Sequence, residues 1–313
     1  REAMTLPEQP GRLAIIGAGA IGCEFADFYE AIGTEVSIVE MMPRLLPNED
    51  DDVSALLERA FIKRGIKLFL KTRTEKIEKA DDGVRLSLSG DALTTIDADA
   101  VLVAVGVTGN TENVAASSVK VEIVKNRFKV GPDYRTSVPH IYAAGDCITF
   151  DWPAGHPQEG VRHPDLAHVA HHEAVSIVEH LAGHGSQPID YAHTPGCTYT
   201  HPQVASFGPS EKKLREQGRQ IRVGKFPFSA SGRALAAGET DGFVKLIFDA
   251  RYGELLGVHM IGENVTELLS ELVLARNLEA TEAEILGAIH PHPTMSEAIM
   301  EAAGVSMQRA IHL

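Results

Sequence analysis

The sequence predicts an α/β domain followed by a mixed α+β region, on three observations. An unbroken apolar run, "RLAIIG", enters a glycine-rich turn and then a helical pattern from residue 12 to 33. Apolar runs bounded by turn residues alternate with helical stretches as far as about residue 112, the order that builds a parallel sheet with crossover helices. From about residue 191 this alternation gives way to strands joined by a tight turn, and then to helical periodicity.

The elements follow in order. Residues 5–11, "TLPEQPG", carry two prolines before the first apolar run and read as the end of a linker over 1–11. The first strand is apolar at consecutive positions, as a strand covered on both faces must be. Gly33 is placed to end the helix after it. "DVSALLERAFIKRGIKLFL" gives a second helix and strand, and "GVRLSLSGDALTTIDADAVLVAVG" gives antiparallel strands that return to the main sheet. Between 113 and 190, "HIYAAGDC" reads as a short strand ending at Gly145-Asp146. A Pro/Gly/His-rich loop follows over 150–164, then a helix over about 165–182. "KFPFSAS" and "GFVKLIFDARYGELLGVHMIG" are strands, the latter turning at Tyr252–Gly253, and helical spacing runs over 265–276 and 282–289. The expected divisions are therefore 1–11, 12–112, 113–190 and 191–313.

Composition excludes several classes. The net charge of −14 and the lack of a Lys/Arg run oppose nucleic-acid binding, because phosphate repulsion is not offset. No apolar stretch approaches the roughly 20 residues of a membrane helix, and "REAMTLPEQP" has no signal-peptide apolar segment, so a cytoplasmic protein is expected. Cys23, Cys147 and Cys197 are too few and too dispersed for a disulfide framework, and no two form a close redox pair.

"GAGAIG" places Gly17, Gly19 and Gly22 at G-x-G-x-x-G spacing between a strand and a helix. Glu40 ends the next strand, 18 residues after Gly22. The glycines permit a tight turn, close approach to a pyrophosphate and close helix–strand packing, while the helix N-terminus offers free N–H groups to the phosphates. An acid at Glu40 accepts from a ribose diol and repels a 2′-phosphate, which favours NAD over NADP. Arg44 is the nearby cation that argues the other way. The first domain is thus expected to be a Rossmann-type NAD-binding domain.

"IYAAGD", preceded by "VP", together with the glycine motif and the "VLVAVG" that ends at Gly106, resembles the pyridine nucleotide–disulfide oxidoreductases. The tail segments "YTHPQVASFG", "KFPFSASGRA", "TDGFVKL" and "HPHPTMSEA" narrow the resemblance to the dihydrolipoamide dehydrogenases, from about residue 10 to the end. The resemblance implies an NAD domain, a returning portion of an FAD domain over 113–190, and an interface domain over 191–313. It assigns Asp146 to the ribityl–pyrophosphate region of FAD and places Ala167 and His168 beside the flavin. Glu24 matches a family glutamate that pairs with a flavin-proximal lysine, though the segment bearing that lysine is not found here. Val107, Thr108 and Gly109 depart from the family's Arg and Pro-Asn after "VAVG", and the loop 150–164 is longer than usual.

In "IHPHPTMSEAIMEA", Pro291 and Pro293 push His290 and His292 out of helical conformation, and "TMSE" reads as a capping box with Thr294 as N-cap and Glu297 at N3. By resemblance His292 is the base toward a dithiol, Glu297 orients it, and His290 is a packed or surface histidine. Imidazole suits the task because a thiol must lose its proton to attack a disulfide. His168, His171 and His172 have i, i+3, i+4 spacing, but no cysteine or carboxylate completes a clear ligand set, so no metal is expected.

The resemblance further implies a homodimer that serves the lipoyl domains of 2-oxo acid dehydrogenase or glycine-cleavage complexes. It also implies an upstream FAD glycine motif and C-x-x-x-x-C pair, neither of which occurs in this sequence. The 313-residue chain alone is therefore expected to be colourless, to bind NADH weakly and to oxidise no dihydrolipoamide. A stand-alone NAD-binding and dimerisation module, or another disulfide reductase of the family, are the competing readings.

Overall fold

The computed structural model describes residues 2–90, 94–114, 116, 118–185 and 189–313. The chain forms two compact units, one of residues 1–106 with 197–313 and the other of residues 107–196.

The first segment runs β1 (Arg12–Ile16), α1 (Ala20–Ala31), β2 (Glu35–Val39), α2 (Asp51–Lys63), β3 (Lys67–Phe69), β4 (Arg73–Ala80), β5 (Gly83–Ser89), β6 (Thr94–Ala98) and β7 (Ala100–Val103). A parallel sheet has the order β3-β2-β1-β7, with Ile15 of β1 opposite Ile38 and Leu102. Ala14 and Ile15, which point to opposite faces, are both fully buried, so the apolar run is explained by cover on both sides. Gly22, Cys23, Ala26 and Tyr29 form the buried face of α1. Of the antiparallel strands predicted over 83–106, β5 and β6 join β4, which was not predicted, in a separate sheet, and β7 alone returns to the main one.

The second unit contains β8 (Ile123–Val124), β9 (Arg127–Val130), β10 (Ile148–Phe150) and α3 (Ala167–Leu181), with the strands in the order β10-β9-β8. The expected strand over "HIYAAGDC" is corrected here. Its contribution to a ladder is one isolated bridge, Tyr142 to Arg135. Its neighbour, residues 134–136, exchanges two bonds with it, from the Ala143 N–H to the Tyr134 carbonyl and from the Thr136 N–H to the Ile141 carbonyl, so pairing stops at one bridge and no strand extends from it.

The chain then forms β11 (Gly196–Thr198), β12 (Gln203–Phe207), α4 (Glu211–Glu216), β13 (Ile221–Pro227), α5 (Gly232–Ala237), β14 (Phe243–Asp249), β15 (Leu255–Gly262), α6 (Val265–Asn277), α7 (Glu282–Gly287) and α8 (Glu297–Ser306). A five-stranded sheet has the order β11-β12-β15-β14-β13, and every residue of β14 and β15 is buried.

One row across this sheet is polar. Ser206 lies opposite His259, His259 opposite Lys245, and Lys245 opposite Lys225, so the four share one face. The start of α2 meets that row with acids. Ser206 Oγ donates to Glu49 Oε1 at 3.0 Å, and Lys245 Nζ donates to Asp50 Oδ1 at 2.9 Å and Asp52 Oδ2 at 3.1 Å. Glu211 Oε2 lies 2.8 Å from Lys245, and Lys225 reaches Asp52 at 2.9 Å. Burial disfavours the Lys245 ammonium, but Glu211 and Asp50 outweigh it and hold the pKa above the ordinary lysine value. Burial likewise pushes the Glu49 carboxyl up and the His259 imidazole down.

Candidate functional site

The glycine-rich turn is shaped by what its glycines exclude. At Gly17, φ is +103° and a Cβ would lie 2.4 Å from the Ala104 carbonyl at the end of β7. A Cβ on Gly22 would meet the Gly17 carbonyl at 2.0 Å. Gly19 differs, because nothing among the described residues beyond its chain neighbours lies within 4 Å of a Cβ there. It is also the N-cap of α1 and supplies no side-chain cap to the first-turn N–H groups. The protein's own packing thus accounts for Gly17 and Gly22, and leaves open space beside Gly19. Gly106, with φ +136°, ends the stretch that passes Gly17.

Glu40 closes the turn. Its Oε2 accepts from the Ala18 N–H at 2.8 Å and its Oε1 from the Met42 N–H at 2.7 Å. Each carboxylate oxygen keeps a lone pair for a further donor. The Arg44 guanidinium is held by Asp51 and donates to the Pro47 carbonyl at 3.2 Å. Glu24, on α1, accepts from the Tyr199 N–H at 2.8 Å, a fixed partner rather than plain solvent.

The histidine stretch lies between α7 and α8. His292 Nδ1 is 2.8 Å from Glu297 Oε1, while the imidazole is 79% exposed, so the paired nitrogen is anchored and the other is open to solvent. The His292–Pro293 peptide is cis. Burial favours the neutral Glu297 acid, but the Thr294 N–H and His292 outweigh it and hold its pKa below the ordinary glutamate value. The expected capping box is corrected. Glu297 does accept from the Thr294 N–H at 2.8 Å, but it is the first residue of α8, and Ser296 is the N-cap. The Thr294 hydroxyl donates to the Pro291 carbonyl at 2.7 Å instead of capping the helix. The carboxylate of Glu297 therefore spans two jobs, the turn at Thr294 and the ring of His292. His290 is packed away and held by Glu271 at 2.8 Å and the Ala288 carbonyl at 3.0 Å.

In the second unit, Asp146 is exposed on a turn whose Gly145 has φ +79°. A Cβ on Gly145 would come within 3.1 Å of Ala170, so the turn sits against the first turns of α3, where Ala167 and His168 are exposed. His168 Nε2 is 2.8 Å from the Pro195 carbonyl, and the rings of His171 and His172 meet edge to face.

A network that sequence reading missed holds this turn. Glu173, fully buried, accepts from the Gly145 N–H at 2.7 Å and the Tyr191 hydroxyl at 2.7 Å, and meets His163 Nε2 at 2.9 Å. His163 Nδ1 is 3.0 Å from Asp165, which also receives Arg127. The participants are spread from 127 to 191 with no motif spacing, so nothing short of the fold joins them. Burial disfavours the imidazolium of His163, but Glu173 and Asp165 outweigh it and raise its pKa above the ordinary 6.5. A raised folded value stabilises the unit fully below about 6.5 and loses that contribution as pH rises through the folded pKa. Amide exchange in α3 is expected to accelerate across that window, and His163→Gln to remove the pH dependence while costing about 1–3 kcal/mol. Identical pH profiles for the two proteins would exclude His163 as the origin.

Two family models and several relatives match the chain. The family model for pyridine nucleotide-disulphide oxidoreductases matches residues 1–174, and the model for the dimerisation domain of that family matches 194–303. The dihydrolipoyl dehydrogenase of Zymomonas mobilis is 43% identical, covering 99% of this chain and 64% of its own length. That of Bacillus subtilis is 38% identical, covering 99% of this chain and 64% of its own. The crystal structure of LpdA from Mycobacterium tuberculosis superposes with a TM-score of 0.83 at 27% identity, over 95% of this chain and 62% of that one. The chain thus spans under two thirds of the length of these relatives. No helix among the described residues is long and apolar enough to cross a membrane. With its glycine-rich turn, its adjoining acid and both family models in register, the chain belongs to the pyridine nucleotide-disulphide oxidoreductases.

Proposed function

We propose that this chain is the NAD-binding and C-terminal part of an FAD-dependent dihydrolipoyl dehydrogenase. Residues 12–112 would form the NAD domain after the linker 1–11, 113–190 the returning part of the FAD domain, and 191–313 the interface domain. The overall reaction oxidises a dihydrolipoamide dithiol to the cyclic disulfide, with two electrons and one proton passing to NAD+ and the second proton to solvent. The carrying observation is the His292–Glu297 pair, anchored at 2.8 Å with the rest of the ring exposed. The names and similarity of the relatives support the same reading.

The residues divide the work. Glu297 fixes the tautomer of His292 and stabilises its protonated form, so that the open nitrogen takes a thiol proton. The N–H groups around Gly19 receive a pyrophosphate, and the spare lone pairs of Glu40 receive ribose hydroxyls. Asp146, beside the open N-terminal turns of α3, would hold the polar chain of FAD, the group that relays electrons when bound. Gly106, Glu24, Ala167 and His168 would line the nucleotide and flavin sites. The dimerisation-domain match over 194–303 supports a homodimer, and the substrate class points to lipoyl domains of 2-oxo acid dehydrogenase or glycine-cleavage complexes as partners. Three free thiols suit a reducing, cytoplasmic setting.

Cofactor choice tests the nucleotide assignment. A 2′-phosphate would face the Glu40 carboxylate, and Arg44 is engaged by Asp51. Fluorescence titration of the purified chain is expected to show NADH binding at least about tenfold tighter than NADPH, which corresponds to roughly 1.4 kcal/mol. Glu40→Gln should narrow that gap. Equal affinity of the unmodified chain for the two nucleotides would sink the role given to Glu40.

A further inference from the structure

We propose that His201, Glu239 and Glu263 form a binding site for a divalent transition ion of the Zn(II) class, separate from the nucleotide turn and the His292 stretch. One ligand atom from each residue lies within 4.8 Å of the other two. The three come from different places in the fold: the turn before β12, the end of α5, and the turn between β15 and α6.

Each ligand stands on a fixed backbone. The His201 N–H donates to Asp27 Oδ1 at 3.0 Å, and its carbonyl accepts from Arg64 Nη1 at 3.0 Å, so both sides of the residue are tied to the first segment of the same unit. The Glu239 N–H closes the end of α5 by donating to the Ala234 carbonyl at 3.0 Å, just after Gly238 at φ +77°. Glu263 is flanked by Gly262 at φ +144° and Asn264 at φ +60°. Ligands on constrained turns lose little freedom when an ion binds.

The charges are unbalanced. Among the described residues, Glu239 has one partner, His201 at 3.7 Å, and Glu263 has no ion pair or hydrogen bond from its side chain. Arg64, which reaches the His201 carbonyl, is committed to Asp27 and Glu30, and Lys63 is paired with Asp241. Two carboxylates are therefore brought together with only an imidazole between them, and repulsion is relieved by a dication. One imidazole nitrogen with two carboxylate oxygens, and solvent for the remaining position, suits Zn(II) and disfavours Mg(II) and Ca(II), which take oxygen alone. His201 and Glu239 keep 58% and 38% of their side-chain surface, so an ion enters directly from solvent.

Calorimetric titration of the chelator-stripped chain with zinc chloride tests the site. One principal equivalent per chain is expected, with Mg(II) failing to compete. His201→Ala should abolish this equivalent, and Glu239→Gln or Glu263→Gln should weaken it by at least about tenfold. His171→Ala with His172→Ala serves as the control, because adjacent helix histidines bind zinc unspecifically, and it should leave the equivalent intact. Circular dichroism establishes that each variant is folded, and the isosteric glutamine variants carry the test if His201→Ala is not. No zinc binding by the parent chain would overturn the proposal. So would an isotherm unchanged by the glutamine variants, or one lost in the control instead.

Discussion

Replacing His292 by glutamine, in an enzyme that joins this chain to a redox-active cysteine pair, is expected to lower dihydrolipoamide turnover by roughly 10²–10⁴-fold. The expectation rests on geometry. Glu297 holds one ring nitrogen at 2.8 Å and leaves the other exposed, so the imidazole is oriented without being occupied. Glutamine keeps the polarity and most of the volume but takes no proton. Glu297→Gln should cost less, because the amide still hydrogen-bonds the ring while losing the charge that stabilises imidazolium. Steady-state turnover of the two variants beside the parent reads the difference. Normal turnover in the His292→Gln enzyme would make this histidine structural, and the proposed function would lose its carrying observation.

Lys245→Met is expected to destabilise the first unit by about 3–5 kcal/mol, the cost of leaving a buried charge without its partner. Lys245 and Asp50 are 4% and 3% exposed, and Glu211 and Asp52 depend on the same ammonium. Adding Asp50→Asn should recover part of the loss, because the stranded carboxylate is then neutral. Urea unfolding of the three proteins reads this directly. If Lys245→Met unfolds at the parent's midpoint, the seam between α2 and the five-stranded sheet contributes no net stability.

Which features were legible in the sequence follows from how far apart their parts lie. The glycine turn and Glu40 belong to one contiguous β–α–β stretch, where local spacing dictates geometry, and the structure places Glu40 on the Ala18 N–H. His292 and Glu297 are five residues apart, and two prolines restrict the chain between and before them. The strand expected at "HIYAAGDC" failed because pairing is a property of neighbours, and the apolar pattern alone does not say how far a neighbour runs beside it. Thr294 failed as an N-cap because its hydroxyl had a competing acceptor, the Pro291 carbonyl, which composition does not reveal. The Glu173 network and the polar row through Ser206, His259, Lys245 and Lys225 were invisible for a further reason. Their members are adjacent only across strands or between a helix, a strand and loops far apart in the chain, and each reads singly as an ordinary polar residue.

The two segments of the first unit flank residues 107–196, and this arrangement has a consequence in time. Asp50 and Lys245 are 195 residues apart in the chain. A ribosome adds about 5–20 residues per second, so roughly 10–40 s separate the emergence of the acids from that of their lysine. Ser206 follows Glu49 by 157 residues, Lys225 comes later still and Lys245 last, so through most of that interval Glu49, Asp50 and Asp52 lack these partners and the sheet that covers them is incomplete. The parallel sheet β3-β2-β1-β7 can form during this wait, because all four strands precede residue 104. The nascent chain therefore has its glycine-rich turn early and its seam late.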